Sequence, residues 1–219
     1  MQKDKQILNE GKLINKLKFN EQSVFFLKIT YIFILVPVTG TLLHELGHYF
    51  AAIINGFDAK IHYSYTTSTI NPSSEATIYF YYILAGPVST WIQCLIPFFL
   101  LLILYNKNRK WRIIKKQFFD KYFIICLFFV SMAGRFPFNA LIYIFTRSKS
   151  IDEYKLADYL ILHPETFLIL FAVIALLILL IAIYKVPKEK RIITLLGAIV
   201  GSSIGYILWN FIFGPIILP

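Results

Sequence analysis

The chain has 219 residues, of which 58% are hydrophobic and 16% are charged, with a mean hydropathy of +0.65. A soluble globular domain carries roughly 25% charged residues, so this composition argues against a soluble protein. The formal net charge of +10 would suit a nucleic-acid-binding protein, but the 22 Lys and Arg residues lie in short connectors between apolar runs. We therefore expect a membrane protein with no nucleic-acid partner.

Five stretches of the sequence are long and apolar enough to cross a bilayer, which takes about 20 residues. This pattern predicts an all-α, polytopic helical membrane protein with about five transmembrane helices, embedded in the lipid bilayer of the cell membrane. No cleavable signal peptide is expected, because a polar segment precedes the first apolar run. In chain order the stretches are 29–54, 76–106, 122–146, 166–184 and 192–219.

The positive charges predict how the chain is inserted. The N-terminal segment and the connectors 107–121 and 185–191 together carry 17 Lys and Arg residues, whereas the alternate segments carry four. By the positive-inside rule, the segments with more positive charge face the cytoplasm. We therefore expect a cytoplasmic N-terminus and an outside C-terminus, with Arg135 left inside the third span.

Local patterns predict three structural details. Pro137 lacks an N–H group and clashes with the preceding turn, so it should kink or break the third span. In the connector after the first span, Lys60–Tyr65 is expected either to pair with Thr77–Tyr82 as a short hairpin or to dip back with it into the membrane face. Glycines at every fourth position of the last span predict close helix packing, either inside the protein or against a partner. They are Gly197, Gly201 and Gly205.

A specific chemistry is indicated at the end of the first apolar run, where the chain reads His44-Glu45-Leu46-Gly47-His48. In this H-E-x-x-H pattern the two histidines share one helix face and can bind one Zn²⁺. A bound Zn²⁺ lowers the pKa of a water molecule toward about 7, and the glutamate can take its proton and pass it to a leaving amine. Burying ionisable residues at membrane depth costs free energy unless they are paired or bind a ligand, so such residues usually mark a functional site. The motif therefore predicts a zinc metalloendopeptidase.

A catalytic Zn²⁺ takes three protein ligands, so one more ligand must come from another part of the chain. The other histidines are His62 and His163. Topology favours the carboxylates that follow the third span, because this span ends on the same side of the membrane as the motif. Asp152 and Glu153 emerge there, and both remain candidates on this argument.

The motif and two other features of the sequence together resemble a known protein family. His44-Glu45-Leu46-Gly47-His48, Ala85-Gly86-Pro87 in the second span, and Asn139 followed by an aspartate together resemble the site-2 protease family of intramembrane zinc metalloproteases. The resemblance covers about residues 40–160 and implies a three-helix catalytic core.

The resemblance also implies roles for single residues. By it, His44 and His48 bind zinc, Asp152 is the third ligand and Glu45 is the general base. Asn139 would then bind the backbone of an extended substrate, although its residue type is equally consistent with a hydrogen bond across helices. A second likeness concerns the neighbouring carboxylate. The stretch that begins at Glu153 resembles the downstream helix of a different membrane metalloprotease class, related to the CAAX-processing enzymes, in which a glutamate is the ligand.

These expectations divide the chain into three parts. Residues 1–23 form a basic cytoplasmic segment, 24–160 a membrane-embedded metalloprotease core, and 161–219 two additional transmembrane helices. The predicted substrate is a membrane-spanning or membrane-associated peptide. Arg135 is expected to pair with a carboxylate or a substrate carbonyl near the zinc, or with backbone carbonyls freed by Pro137. The alternative function is a non-enzymatic membrane protein that transports or senses a divalent ion through the same residues.

Overall fold

The computed structural model describes residues 21–110 and 116–219, with side chains described for 21–106 and 121–219. Most of the predicted basic segment, residues 1–20, lies outside these ranges. A short antiparallel hairpin is the one sheet in the described part of the chain, and the rest of its regular structure is helical. The elements are α1 (Glu21–Ile54), β1 (Ala59–Ile61), β2 (Thr66–Ser68), α2 (Ala76–Lys110), α3 (Lys116–Val130), a 3₁₀ turn (Ser131–Gly134), α4 (Arg135–Thr146), α5 (Asp152–Tyr159), α6 (Thr166–Lys185), α7 (Lys188–Leu208), a π-helical turn (Trp209–Phe213) and α8 (Gly214–Ile217).

Five helical segments among the described residues are long and apolar enough to cross a membrane. They confirm the all-α, multi-pass architecture predicted from the sequence. Large apolar side chains cover the outside of the bundle, as is required where helices face lipid rather than water. The segments are Glu21–Ile54, Ala76–Asn106, Lys121–Thr146, Thr166–Lys185 and Lys188–Ile217.

Helices α1 and α2 pack closely over the part of α1 that carries the H-E-x-x-H motif. A Cβ atom added at Gly47 would lie 2.5 Å from the carbonyl oxygen of Ala85, so only glycine permits this approach. The hydroxyl of Ser89 donates a hydrogen bond to the carbonyl of Leu43 at 2.7 Å, which fixes the register of the two helices. The motif is therefore buried against α2.

The glycines of α7 pack inside the protein, against α1. A Cβ at Gly197 would lie 3.0 Å from Cγ2 of Ile29, and one at Gly205 would overlap the carbonyl oxygen of Ile34. Such close backbone approach is how small residues associate helices in membranes. Of the two alternatives that the sequence left open, internal packing is therefore the one observed.

The third span is interrupted, as Pro137 predicts. Helix α3 ends at Val130, a 3₁₀ turn follows, and α4 starts at Arg135, with Pro137 in its first turn. Phe136 anchors this break, because its ring stacks on Trp91 of α2 at 4.5 Å between centroids. The break places Arg135 inside the bundle, next to the motif of α1.

The hairpin lies between α1 and α2, with Ala59 opposite Ser68. The prediction that Lys60–Tyr65 pairs with Thr77–Tyr82 is wrong. Residues 77–82 belong to α2, because a helix satisfies their backbone groups locally where they enter the apolar span. The hairpin is instead anchored to the last helices. There Trp209 Nε1 donates a hydrogen bond to the carbonyl of Tyr63 at 2.8 Å.

The contact between α7 and α1 makes a prediction about stability. Replacing Gly205 by Val should lower the free energy of unfolding by about 2 kcal/mol, because overpacking forces α7 away from the backbone of α1. Thermal unfolding in detergent measures the change. Gly134→Ala is the control, since a Cβ there meets nothing within 4 Å. Equal melting temperatures for the two variants would contradict this packing.

Candidate metal centre

His44, His48 and Asp152 meet at one point in the bundle. Nε2 of His44 lies 2.9 Å from Oδ2 of Asp152, and Nε2 of His48 lies 3.2 Å from the same oxygen. The two Nε2 atoms are 3.2 Å apart. The histidines are one turn apart on α1, and Asp152 is the first residue of α5. Within residues 21–106 and 121–219, no other group of three His, Cys, Asp or Glu side chains is placed to share a metal ion.

The hydrogen bonds behind the imidazole rings determine which nitrogen faces the centre. Nδ1 of His48 lies 2.7 Å from the carbonyl oxygen of Tyr82, which can only accept, so this nitrogen carries the hydrogen. Nδ1 of His44 lies 2.9 Å from the hydroxyl oxygen of Thr90. That hydroxyl donates its own hydrogen to the carbonyl of Gly86, so it accepts from His44. In both neutral rings Nε2 therefore presents a lone pair.

When both rings are neutral, three electron-pair donors therefore point at one another with no hydrogen between them. Nε2 of His44, Nε2 of His48 and Oδ2 of Asp152 then repel each other, and either a proton or a metal cation among them removes the repulsion. Ligand atoms of a tetrahedral zinc site lie about 3.3 Å apart, given Zn–N distances of about 2.0–2.1 Å. The separations here are 2.9–3.2 Å, so the residues fit a small divalent metal ion.

Gly86 makes room for this centre. It lies on α2 facing both imidazole rings, and a Cβ there would lie 2.6 Å from Nε2 of His44 and closer still to Nε2 of His48. The sequence linked Gly86 to the motif through the family resemblance but gave it no place between the imidazoles, and it did not single out Thr90. A signal was available, since these two residues are four apart and therefore share one face of α2.

Glu45 is buried beside the centre and has two polar partners on other elements. The hydroxyl of Thr66, in β2, donates to Oε2 of Glu45 at 3.1 Å. Nη2 of Arg135 lies 3.7 Å from Oε1. Of the partners that the sequence left open for Arg135, the structure places a carboxylate next to it. Nε of Arg135 is buried without a hydrogen-bond partner among the described residues.

The two adjacent carboxylates of α5 point to different places. Asp152 faces the histidines, and its Oδ1 lies 3.7 Å from Nζ of Lys155 on the same helix. Glu153 is fully buried, and Nδ2 of Asn139 donates to its Oε2 at 3.2 Å. The structure therefore brings Asp152, and not Glu153, to the motif. The side chain of Asn139 is hydrogen-bonded to Glu153, across the two helices.

Electrostatics separate these two carboxylates further. Burial alone would raise the pKa of Asp152, but in the metal-free site the charge and hydrogen bonds of protonated His48 and His44 outweigh it and hold that pKa well below its usual range. Burial raises the pKa of Glu153 to about 7, and the negative charge of Asp152 adds to the rise. Metal ligands must be deprotonated, so Asp152 is the better suited of the two at neutral pH.

The remaining histidines are not part of the centre. His62 stacks on Tyr65 at 4.4 Å and contacts the carbonyl oxygen of Pro219 and the hydroxyl of Thr67. His163 is exposed in the connector before α6, where its Nδ1 accepts from the amide of Glu165 at 3.4 Å. Both have local structural partners and lie outside the donor set.

Comparisons of the chain with family models, with curated proteins and with solved structures find no match. Two imidazoles and one carboxylate leave a coordination position free on a tetrahedral metal ion, and a fourth buried polar group, Glu45, lies next to them. This combination suits metal-assisted hydrolysis.

The position of Gly86 makes a prediction about metal binding. Gly86→Ala should weaken zinc binding about 100-fold or more, because the new methyl group occupies the space between the two imidazoles. Competition with a chelator in detergent measures the affinity. Gly40→Ala is the control, since its Cβ would lie 3.5 Å from the flexible side chain of Met132. If both variants bound zinc like the wild type, the proposed location of the centre would be wrong.

Proposed function

We propose that the protein is an intramembrane zinc metalloprotease of the site-2 protease type, which hydrolyses peptide bonds of membrane-associated substrates. One observation carries the proposal. Nε2 of His44, Nε2 of His48 and Oδ2 of Asp152 converge on one point. The carboxylate of Glu45, which contacts Arg135, lies beside them. Each of these groups is the residue type that zinc-dependent peptide hydrolysis needs at that position.

The metal would be held by His44, His48 and Asp152. Bound there, Zn²⁺ would supply Lewis-acid chemistry, by polarising the scissile carbonyl group and making water more acidic. Thr90 and the carbonyl of Tyr82 orient the two imidazoles from behind by accepting their Nδ1 hydrogens. Such outer partners fix the tautomer and the ring orientation of metal-binding histidines.

Glu45 is the proposed general base. Its carboxylate would accept a proton from the attacking water and then donate it to the nitrogen of the leaving amine. Thr66 holds one carboxylate oxygen by a hydrogen bond, and Arg135 balances the negative charge from the other side. Both partners come from elements other than α1, so the orientation of Glu45 depends on the hairpin and on the break in the third span.

The depth of Glu45 within the bundle and the N–H groups of Arg135 indicate the substrate class. Glu45 lies nine residues before the end of α1, which corresponds to about 14 Å along the helix axis. A peptide bond must therefore reach the site inside the bundle, and the substrate is a segment that spans or associates with the membrane. Arg135 retains N–H groups beyond its contact with Glu45, and these would donate to carbonyl oxygens of the bound segment.

The catalytic role of Glu45 can be tested with Glu45→Gln. The amide keeps the size of the side chain but cannot take a proton, so cleavage should slow by about 1,000-fold while one zinc per chain is retained. Purified protein is incubated in H₂¹⁸O with single-span peptides that carry helix-breaking residues. Mass spectrometry then detects ¹⁸O in new C-terminal carboxyl groups. Glu189→Gln, at an exposed position in the first turn of α7, is the matched control.

Two results would count against the proposal. Cleavage by Glu45→Gln at the wild-type rate would remove Glu45 from the mechanism. If zinc-loaded wild type released no ¹⁸O-labelled product, while vesicles that contain it took up zinc, the protein would be a metal transporter.

A further inference from the structure

Two carboxylates compete for one position at the start of α5. Asp152 and Glu153 are consecutive residues, so their side chains leave the helix about 100° apart. A rotation of α5 by that angle would exchange them, and the longer glutamate would still reach the histidines. Glutamate is as good a zinc ligand as aspartate. The choice of Asp152 therefore depends on whatever fixes the rotation of α5.

The start of α5 is weakly fixed by its own residues. Helix α5 has eight residues, and the side chain of its N-cap residue, Ile151, makes no capping hydrogen bond. The ion pair between Lys155 and Asp152 joins two residues of the same helix, so it turns with the helix and cannot fix its rotation. The rotation must be fixed by contacts with other elements.

Two contacts with α4 reach this first turn from outside. The ring of Tyr154 lies 5.9 Å from that of Tyr143. Nδ2 of Asn139 donates to Oε2 of Glu153 at 3.2 Å and lies 3.4 Å from Oε1. Glu153 is 1% exposed, and among the described side chains Asn139 is its hydrogen-bond donor, beside a backbone hydrogen bond at Glu153 itself. Loss of a hydrogen-bond donor to a buried carboxyl group is costly, and of its two donors only the amide of Asn139 belongs to another element, so it holds Glu153 against α4.

We propose that Asn139 is a positioning residue, which selects Asp152 as the metal ligand by holding the carboxyl group of Glu153 on α4. With Glu153 held there, the rotation of α5 directs Asp152 toward His44 and His48. This inference rests on the proposed metal centre and deepens it. It also gives Asn139 a role different from the substrate contact that the family resemblance implies.

Zinc affinity tests the selection through a double-mutant cycle. Full-length protein in detergent is titrated with zinc against a chelator, for Asp152→Asn and Glu153→Gln in the wild type and in Asn139→Leu. In the wild type, Asp152→Asn should weaken binding about 100-fold, and Glu153→Gln less than about threefold, because glutamine still accepts from Asn139. Asn139→Leu alone should weaken it about tenfold or more.

The decisive result is the exchange of roles. In the Asn139→Leu background, Asp152→Asn should cost less than about tenfold, and Glu153→Gln should now cost about tenfold or more, because Glu153 is free to reach the metal. A second variant guards against simple misfolding. Asn139→Asp with Glu153→Gln restores the hydrogen bond in the reverse direction and should restore wild-type affinity. Thr146→Val is the control, since this exposed residue on α4 bonds only within its own segment.

The possible failures are distinguishable. If wild type binds zinc, and Asn139→Leu changes neither the affinity nor the effects of the two carboxylate variants, the selection by Asn139 is wrong and the metal centre stands. The same holds if the reversed pair does not recover zinc affinity although its melting temperature equals that of the wild type. If wild type binds no zinc, the metal centre and the selection are overturned together.

Discussion

The close contact between α1 and α2 is the constraint on which the rest of the site depends. Gly47 lets the two backbones approach, and Gly86 leaves the space in which the imidazoles of His44 and His48 turn toward each other. Any larger residue at either position would separate the helices or fill the centre. The same contact brings Thr90 and the carbonyl of Tyr82 behind the rings, so the geometry of the donors and their protonation are set by one helix pair.

Polar groups buried at membrane depth need partners, and the partners here come from distant parts of the chain. Glu45 is met by Thr66 from the hairpin and by Arg135 from the broken third span. Glu153 is met by Asn139 of α4. Each pair compensates a buried charge or dipole and at the same time joins two elements. The irregular features of the fold, namely the hairpin and the helix break, are thereby tied to the site rather than incidental to it.

Much of the fold could be predicted from the sequence because bilayer thickness dictates the length of each apolar run, and the break at Pro137 followed from its missing N–H. The motif likewise marked His44, Glu45 and His48. The choice between the two carboxylates of α5 could not be made by topology, since they are adjacent and their difference is a helix rotation. The sequence also did not predict that β1 pairs with β2, or that Thr66 of β2 contacts Glu45. Pairing of short polar strands depends on their surroundings, which local composition does not contain.

Zinc K-edge X-ray absorption of the purified, zinc-loaded protein can identify the metal ligands. We predict one zinc per chain, held after dialysis, with two imidazole nitrogens at about 2.0–2.1 Å and oxygen ligands completing the shell. The imidazole signal should fall in His48→Ala, which removes one of the two rings. A protein that retains no zinc, or that holds it through oxygen atoms alone, would contradict the account.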